Sequence, residues 1–148
     1  MTLTAPPPRE IAPLADALRP ALLRLSRRLR NEGLKSGLSS QDAILLGLVK
    51  ARPGIGVSSL ADAEQTSRPT MSCHVKRLEA EGLLARDADA DDGRRSGLSL
   101  TPAGVRKLDQ IRAQRNDWLA TRLAQLEPAE RERISAAAAA LFKLASAD

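Results

Sequence analysis

Between Ser67 and Arg95 the chain gathers side chains suited to gripping a polyanion. Arg68, Lys76 and Arg77, then Arg94 and Arg95, can donate charged hydrogen bonds to phosphate oxygens, while Ser67, Pro69, Thr70, Ser72 and Cys73 are small enough to let a helix approach base edges. Spacing sorts these residues. At about 100° per residue, Met71, Val75, Leu78 and Gly82 fall on one face of a helix. Pro69, Cys73, Lys76 and Ala80 point the opposite way, and Thr70, Ser72 and Arg77 flank them. The stretch predicts a short helix with a buried stripe and a small, polar, basic outer face. An ordinary solvated helix face is the competing reading of the same pattern.

The elements that must position these residues are legible on either side. Ser67 suits an N-cap, Pro69 is tolerated in a first helical turn, and Gly82 suits a left-handed C-terminal stop. Leu83 to Arg86 read as a strand, and Leu98, Ser99 and Leu100 as its alternating partner. Between them lies a polar run that holds Asp87, Asp89, Asp91 and Asp92 and ends in Arg94 and Arg95. A helix followed by a hairpin with a basic tip is the winged helix-turn-helix pattern, with one element for the major groove and one for the minor. Arg94 and Arg95 suit the minor groove, whose negative potential attracts guanidinium. Asp92 is expected to anchor the wing by pairing with an arginine, since a carboxylate facing phosphate would repel it.

Upstream, residues 1–8 contain Pro6-Pro7-Pro8 and read as a loose arm. From about Arg9 to Lys35, Leu14, Leu18, Leu22, Leu25 and Leu29 mark a long helix, with Pro20 expected to kink it or mark its effective start. Arg24, Arg27, Arg28 and Arg30 on it read as a solvated face. After Gly37, Ser39 or Ser40 can cap a helix carrying Ile44, Leu45, Leu48 and Val49. Pro53-Gly54-Ile55-Gly56 reads as a turn. Ser58 or Ser59 is then expected to cap a short helix, Leu60 to about Gln65, which leads through Thr66 into the basic helix. Downstream, Thr101-Pro102 opens a helix with Leu108, Ile111, Trp118, Leu119, Leu123 and Leu126 on one side, ended by Glu127-Pro128. A last helix runs from about Ala129 to Ala147, with Ile134, Leu141 and Leu144 as its stripe. The terminal helices carry more apolar surface than a winged-helix core can cover. At roughly 25 cal/mol per Å² of burial, that surface should find a partner.

Composition excludes several classes. The 148 residues suffice for one domain with a real core, and the formal net charge of +5 fits a polyanion partner without proving one. Trp118 and Phe142 are too few for stacking recognition of single strands. Cys73 is the sole cysteine, so an intrachain disulfide and a thiol-based zinc cluster are both excluded. His74, Lys76 and Arg77 could favour a Cys73 thiolate, so a thiol-based redox sensor is one alternative function. His74, the only histidine, reads as half-buried and not as a metal ligand. One histidine, no tyrosine and no glycine-rich phosphate loop leave no catalytic constellation, and no cofactor is expected. Nothing resembles a membrane span or a signal peptide, so the expected compartment is the cytoplasm.

One set of residues is more specific than any of these patterns. Leu78-Glu79-x-x-Gly82-Leu83, then Asp92-x-Arg94, then Leu98-x-Leu100-Thr101-x-x-Gly104 resembles the signature of the MarR family of transcriptional regulators. Trp118-Leu119-Ala120-x-Arg122-Leu123 before Pro128 resembles one branch of it. The likeness covers about Leu14 to Ala145. Two departures stand out: Gly93 takes the place of the usual first wing arginine, and Cys73-His74 replaces a basic then an aliphatic residue.

The resemblance implies a mainly α fold with a small β-hairpin wing (α+β), in which residues 9–35 and 102–147 dimerise around a DNA-binding lobe at 39–101. The whole of 9–148 is then one domain. It implies a homodimer on a pseudo-palindromic double-stranded DNA operator, acting as a repressor. A small effector, often an aromatic acid, would bind between the dimerisation helices and the DNA-binding lobe. The rival of another class is a winged helix used as a protein-interaction module without an operator.

Overall fold

Among the described residues, six helices and two paired strands follow in the order α1 (Ala12–Leu34), α2 (Ser40–Ala51), α3 (Val57–Ala63), α4 (Arg68–Ala80), β1 (Leu84–Asp87), β2 (Gly97–Leu100), α5 (Pro102–Leu123) and α6 (Pro128–Ser146). The structure is a computed structural model and describes residues 9, 11–87 and 97–146. The expected N-terminal arm and the wing residues Asp92, Arg94 and Arg95 lie outside the described residues.

Local chemistry sets most boundaries. Ser39 caps α2, its hydroxyl accepting from the Asp42 amide at 3.1 Å. Ser67 caps α4, accepting from the Thr70 amide at 3.2 Å. Gly82, at φ +72°, ends α4 in the left-handed region that favours glycine. Thr101 caps α5, and its hydroxyl also donates to the Gly82 carbonyl at 2.5 Å. Thr101 thus ties the end of α4 to the start of α5. Gly104 explains the last position of the Leu-Thr-x-x-Gly run, because a Cβ there would sit 2.2 Å from the Leu83 carbonyl oxygen.

Four expectations need correcting. α3 begins at Val57 behind Gly56, with no side-chain cap, so neither Ser58 nor Ser59 caps it. α1 runs unbroken through Pro20 and has another proline in its first turn, so Pro13 and not Pro20 lies at the start. On α2, Leu46 joins Leu45 and Val49 in the core, while Ile44 is exposed. α5 stops at Leu123, short of Glu127, whose amide instead donates to the Glu130 carboxylate at 3.0 Å as α6 begins.

β1 and β2 pair antiparallel, Leu84 opposite Leu100 and Asp87 opposite Gly97. Ile55 adds a one-residue bridge to Leu98, with the Leu98 amide donating to the Ile55 carbonyl at 2.9 Å. The core lies inside this lobe. Leu45, Leu46 and Val49 of α2 meet Leu60 of α3, Met71, Val75 and Leu78 of α4, Leu98 of β2 and Ile111 of α5. α1 packs along α5, and α2 packs on α5 and β2. α6 buries none of its residues within the chain. Phe142 is 77% exposed there, and Leu14, Leu22, Leu23 and Leu25 of α1 are also exposed.

Candidate nucleic-acid interface

The stripe of α4 faces inward as its spacing requires, since Met71, Val75 and Leu78 are fully buried. Burying them turns Arg68, Pro69, Thr70, Cys73, Lys76 and Arg77 outward, with Ser72 half-buried beside them. Ser67 stands at the exposed start of the helix, where its hydroxyl also meets that of Thr70 at 2.8 Å. The structure therefore brings together every α4 residue singled out in the sequence.

They differ in what already occupies them. Lys76 has no hydrogen-bond or ion-pair partner among the described residues, so its ammonium is available. Arg68 donates from Nε to the Ser58 hydroxyl at 2.8 Å, tying α4 to α3. Arg77 is engaged much further. Its Nη2 and Nη1 donate to the two carboxylate oxygens of Asp42 on α2 at 2.6 and 3.0 Å, and Nη1 lies 3.5 Å from Glu81. Asp42 is 2% exposed. Half-buried His74 completes the cluster, its Nδ1 lying 3.2 Å from Arg77 Nη2 and 3.7 Å from Asp42.

Burial pushes the Asp42 carboxyl up. Hydrogen bonds from Arg77 and the Ser39 side chain, with the charges of Arg77 and His74, outweigh that and hold it below the usual carboxylate value. The same hydrogen bond raises Arg77, against the opposing effect of burial.

Sequence reasoning missed Asp42, and a signal for it existed. Leu38, Asp42, Leu45 and Val49 are spaced by threes and fours, so Asp42 sits on the buried stripe of α2, three residues after its cap. A carboxylate there needs a cationic partner. Also missed was Arg86, which donates to Glu79 at 2.8 Å and fastens β1 to the last turn of α4. The Ser99 hydroxyl donates to Asp87 at 3.1 Å between the two strands.

Two clefts flank α5. One, of about 410 Å³, lies between α2 and α5 and is lined by Ala43, Gly47, Leu108 and Ile111 with Lys50, Arg112 and Arg115. The other, of about 450 Å³, lies between α1 and α5 beside Trp118, and Arg122 stacks over that indole at 5.8 Å. Among the described residues no cluster of histidine, cysteine and carboxylate side chains could hold a metal ion. No described helix is long and apolar enough to cross a membrane.

Residues 38–96, most of the lobe just described, match the model of the MarR family. An uncharacterized HTH-type transcriptional regulator of Mycobacterium bovis is 31% identical over 133 residues, which are 90% of this chain and 93% of that protein. A crystal structure described as a transcriptional regulator of Pseudomonas aeruginosa superposes with a TM-score of 0.82 at 31% identity, over 96% of this chain and 99% of that one. The fold is also that of a Staphylococcus aureus MepR mutant bound to an oligodeoxyribonucleotide. That chain gives a TM-score of 0.69 at 21% identity, with 90% and 98% of the two chains covered.

Proposed function

The chain belongs to the MarR family of winged helix-turn-helix transcriptional regulators, which are not enzymes, and on that premise we propose that it is a homodimeric repressor of a pseudo-palindromic duplex operator. The observation that carries the DNA-binding reading is the outer face of α4, where Lys76 stands exposed, with no partner among the described residues, beside Arg68, Thr70, Ser72 and Cys73. In this reading α4 enters the major groove, Lys76 and Arg68 hold phosphates, and Ser67, Pro69, Thr70, Ser72 and Cys73 lie against the groove. Arg94 and Arg95 reach the minor groove from a wing anchored by Asp92. The MepR mutant with its oligodeoxyribonucleotide supports the assignment by its common fold.

Dimerisation is supported by the apolar residues that one chain leaves in water: Phe142 and Leu144 on α6, and Leu14, Leu22, Leu23 and Leu25 on α1. A second copy supplies matching apolar surface by symmetry and sets two recognition helices one turn of DNA apart. Repression follows from occupancy, since a dimer seated on two successive grooves of a promoter excludes polymerase without any further surface. The α2–α5 cleft supports effector release. Lys50, Arg112 and Arg115 line it, and although Lys50 lies 3.7 Å from the Asp109 carboxylate, the two arginines suit a small anion such as an aromatic acid. An effector wedged there would shift α2, on which α4 is seated. The protein then works in the cytoplasm, where its operator lies.

An electrophoretic shift with the DNA upstream of its own reading frame tests this proposal. A retarded complex that survives excess random duplex is expected. No complex at low salt with any duplex would favour the protein-interaction module instead.

A further inference from the structure

The apolar contacts that hold α4 to the lobe, through Met71, Val75 and Leu78, are strong but carry little direction. A bidentate guanidinium–carboxylate pair carries both direction and register, because two parallel hydrogen bonds fix the plane of the fork. Arg77 and Asp42 make such a pair between α4 and α2. Asp42 is buried at the first turn of α2, and α2 is itself packed on α5 and β2. Arg68 ties α4 to α3 and Glu79 ties it to β1, and the Arg77–Asp42 fork adds a directional contact to α2 near the C-terminal end of the recognition helix.

The same geometry leaves Arg77 poorly placed to serve DNA. Both Nη atoms donate to Asp42, and Nη1 also faces Glu81 at 3.5 Å, whose charge would repel a phosphate. Lys76, the next residue back, has no such ties among the described residues. We propose that Arg77 is a positioning residue, which with Asp42 sets the orientation of α4 on α2 and supports DNA binding without contacting DNA. This rests on the DNA-binding reading above. His74 closes the cluster from the α4 side, and Ser39 from the α2 side.

The test compares Arg77→Ala, Arg77→Lys, Asp42→Asn and the Asp42→Asn/Arg77→Ala pair with Lys76→Ala. Each is titrated over a salt series against a duplex that the wild-type protein selects from a random pool. Groups in direct contact couple strongly, so Arg77→Ala and Asp42→Asn should each weaken binding on the order of tenfold, and the pair no more than the worse single. Their salt slopes should keep the wild-type value, whereas Lys76→Ala should flatten the slope by about one per protomer. Arg77→Lys keeps the charge and loses the fork, so it should bind as poorly as Arg77→Ala. A flattened slope for Arg77→Ala together with near wild-type binding by Arg77→Lys would make Arg77 a phosphate contact and overturn the proposal.

Hydrogen exchange without DNA supplies an independent readout. Arg77→Ala and Asp42→Asn should speed exchange of the same α4 amides, and unchanged exchange in both would overturn the clamp. A wild-type protein that binds no duplex, with that exchange pattern intact, would instead sink the DNA-binding reading and leave the clamp standing.

Discussion

Replacing Asp42 by asparagine keeps the shape of the side chain and removes the charge with which Arg77 is paired. Asp42 is 2% exposed, but the Arg77 side chain is 45% exposed, so solvent screens one half of the pair. Breaking a fully buried pair costs roughly 3–5 kcal/mol and losing a hydrogen bond to a charged group about 1.5–3, which places this half-screened pair near ~2 kcal/mol at neutral pH. For a chain of this size that corresponds to a melting temperature lower by about 4–8 °C.

The sign with pH follows from the direction of the shift. The folded Asp42 carboxyl is held below the usual carboxylate range, so its contribution is complete above that range and disappears as pH falls through the lower folded value. Urea unfolding of wild type and Asp42→Asn at matched protomer concentration, in steps from pH 7 to pH 2.5, measures the difference. It should persist from pH 7 to about pH 5 and shrink in the acid range. A difference that does not change with pH, or no difference at neutral pH, would refute the reasoning.

Three further substitutions probe other parts of the structure. Gly104→Ala would place a methyl 2.2 Å from the Leu83 carbonyl oxygen, a backbone atom that cannot swing away, and should cost about 1–3 kcal/mol in thermal or urea unfolding. Phe142→Asp, at a position 77% exposed in one chain, should shift light scattering from twice the 15.9 kDa chain mass towards the monomer. The same mass for both proteins would take Phe142 out of the interface. Cys73 is exposed and a small contributor to the outer face, so Cys73→Ser should leave operator affinity and its response to peroxide unchanged. Loss of binding on oxidation, abolished by that substitution, would make Cys73 a sensor.

What the sequence disclosed followed from how local each signal is. α4 is specified within its own residues by Ser67, Pro69, the Met71–Val75–Leu78 stripe and Gly82, and the structure has all of them in those roles. Thr101 and Pro102 did the same for α5. Asp42 escaped because a search for apolar periodicity skips a carboxylate even where the period demands a buried residue. Its partner lies 35 residues away, so only the folded chain joins them. The Ile55–Leu98 bridge is one residue long and follows a turn, too short for any alternating pattern to register. Ser58 looked like a cap by type, but the extended backbone of Gly56 starts α3 earlier and leaves the hydroxyl to Arg68. The unpaired apolar surface of α1 and α6 was legible from their leucine stripes at helical spacing, because a small lobe cannot cover them all.

The central claim is that the outer face of α4 meets duplex DNA. Anisotropy titrations of wild type and Lys76→Ala against a selected duplex, from low to moderate salt, test it most directly. Tight binding to the selected duplex, roughly a thousandfold or more over random DNA, is predicted, with a steep negative salt slope that Lys76→Ala flattens by about one per protomer. Equal affinity for both duplexes, with the same slope for both proteins, would contradict it.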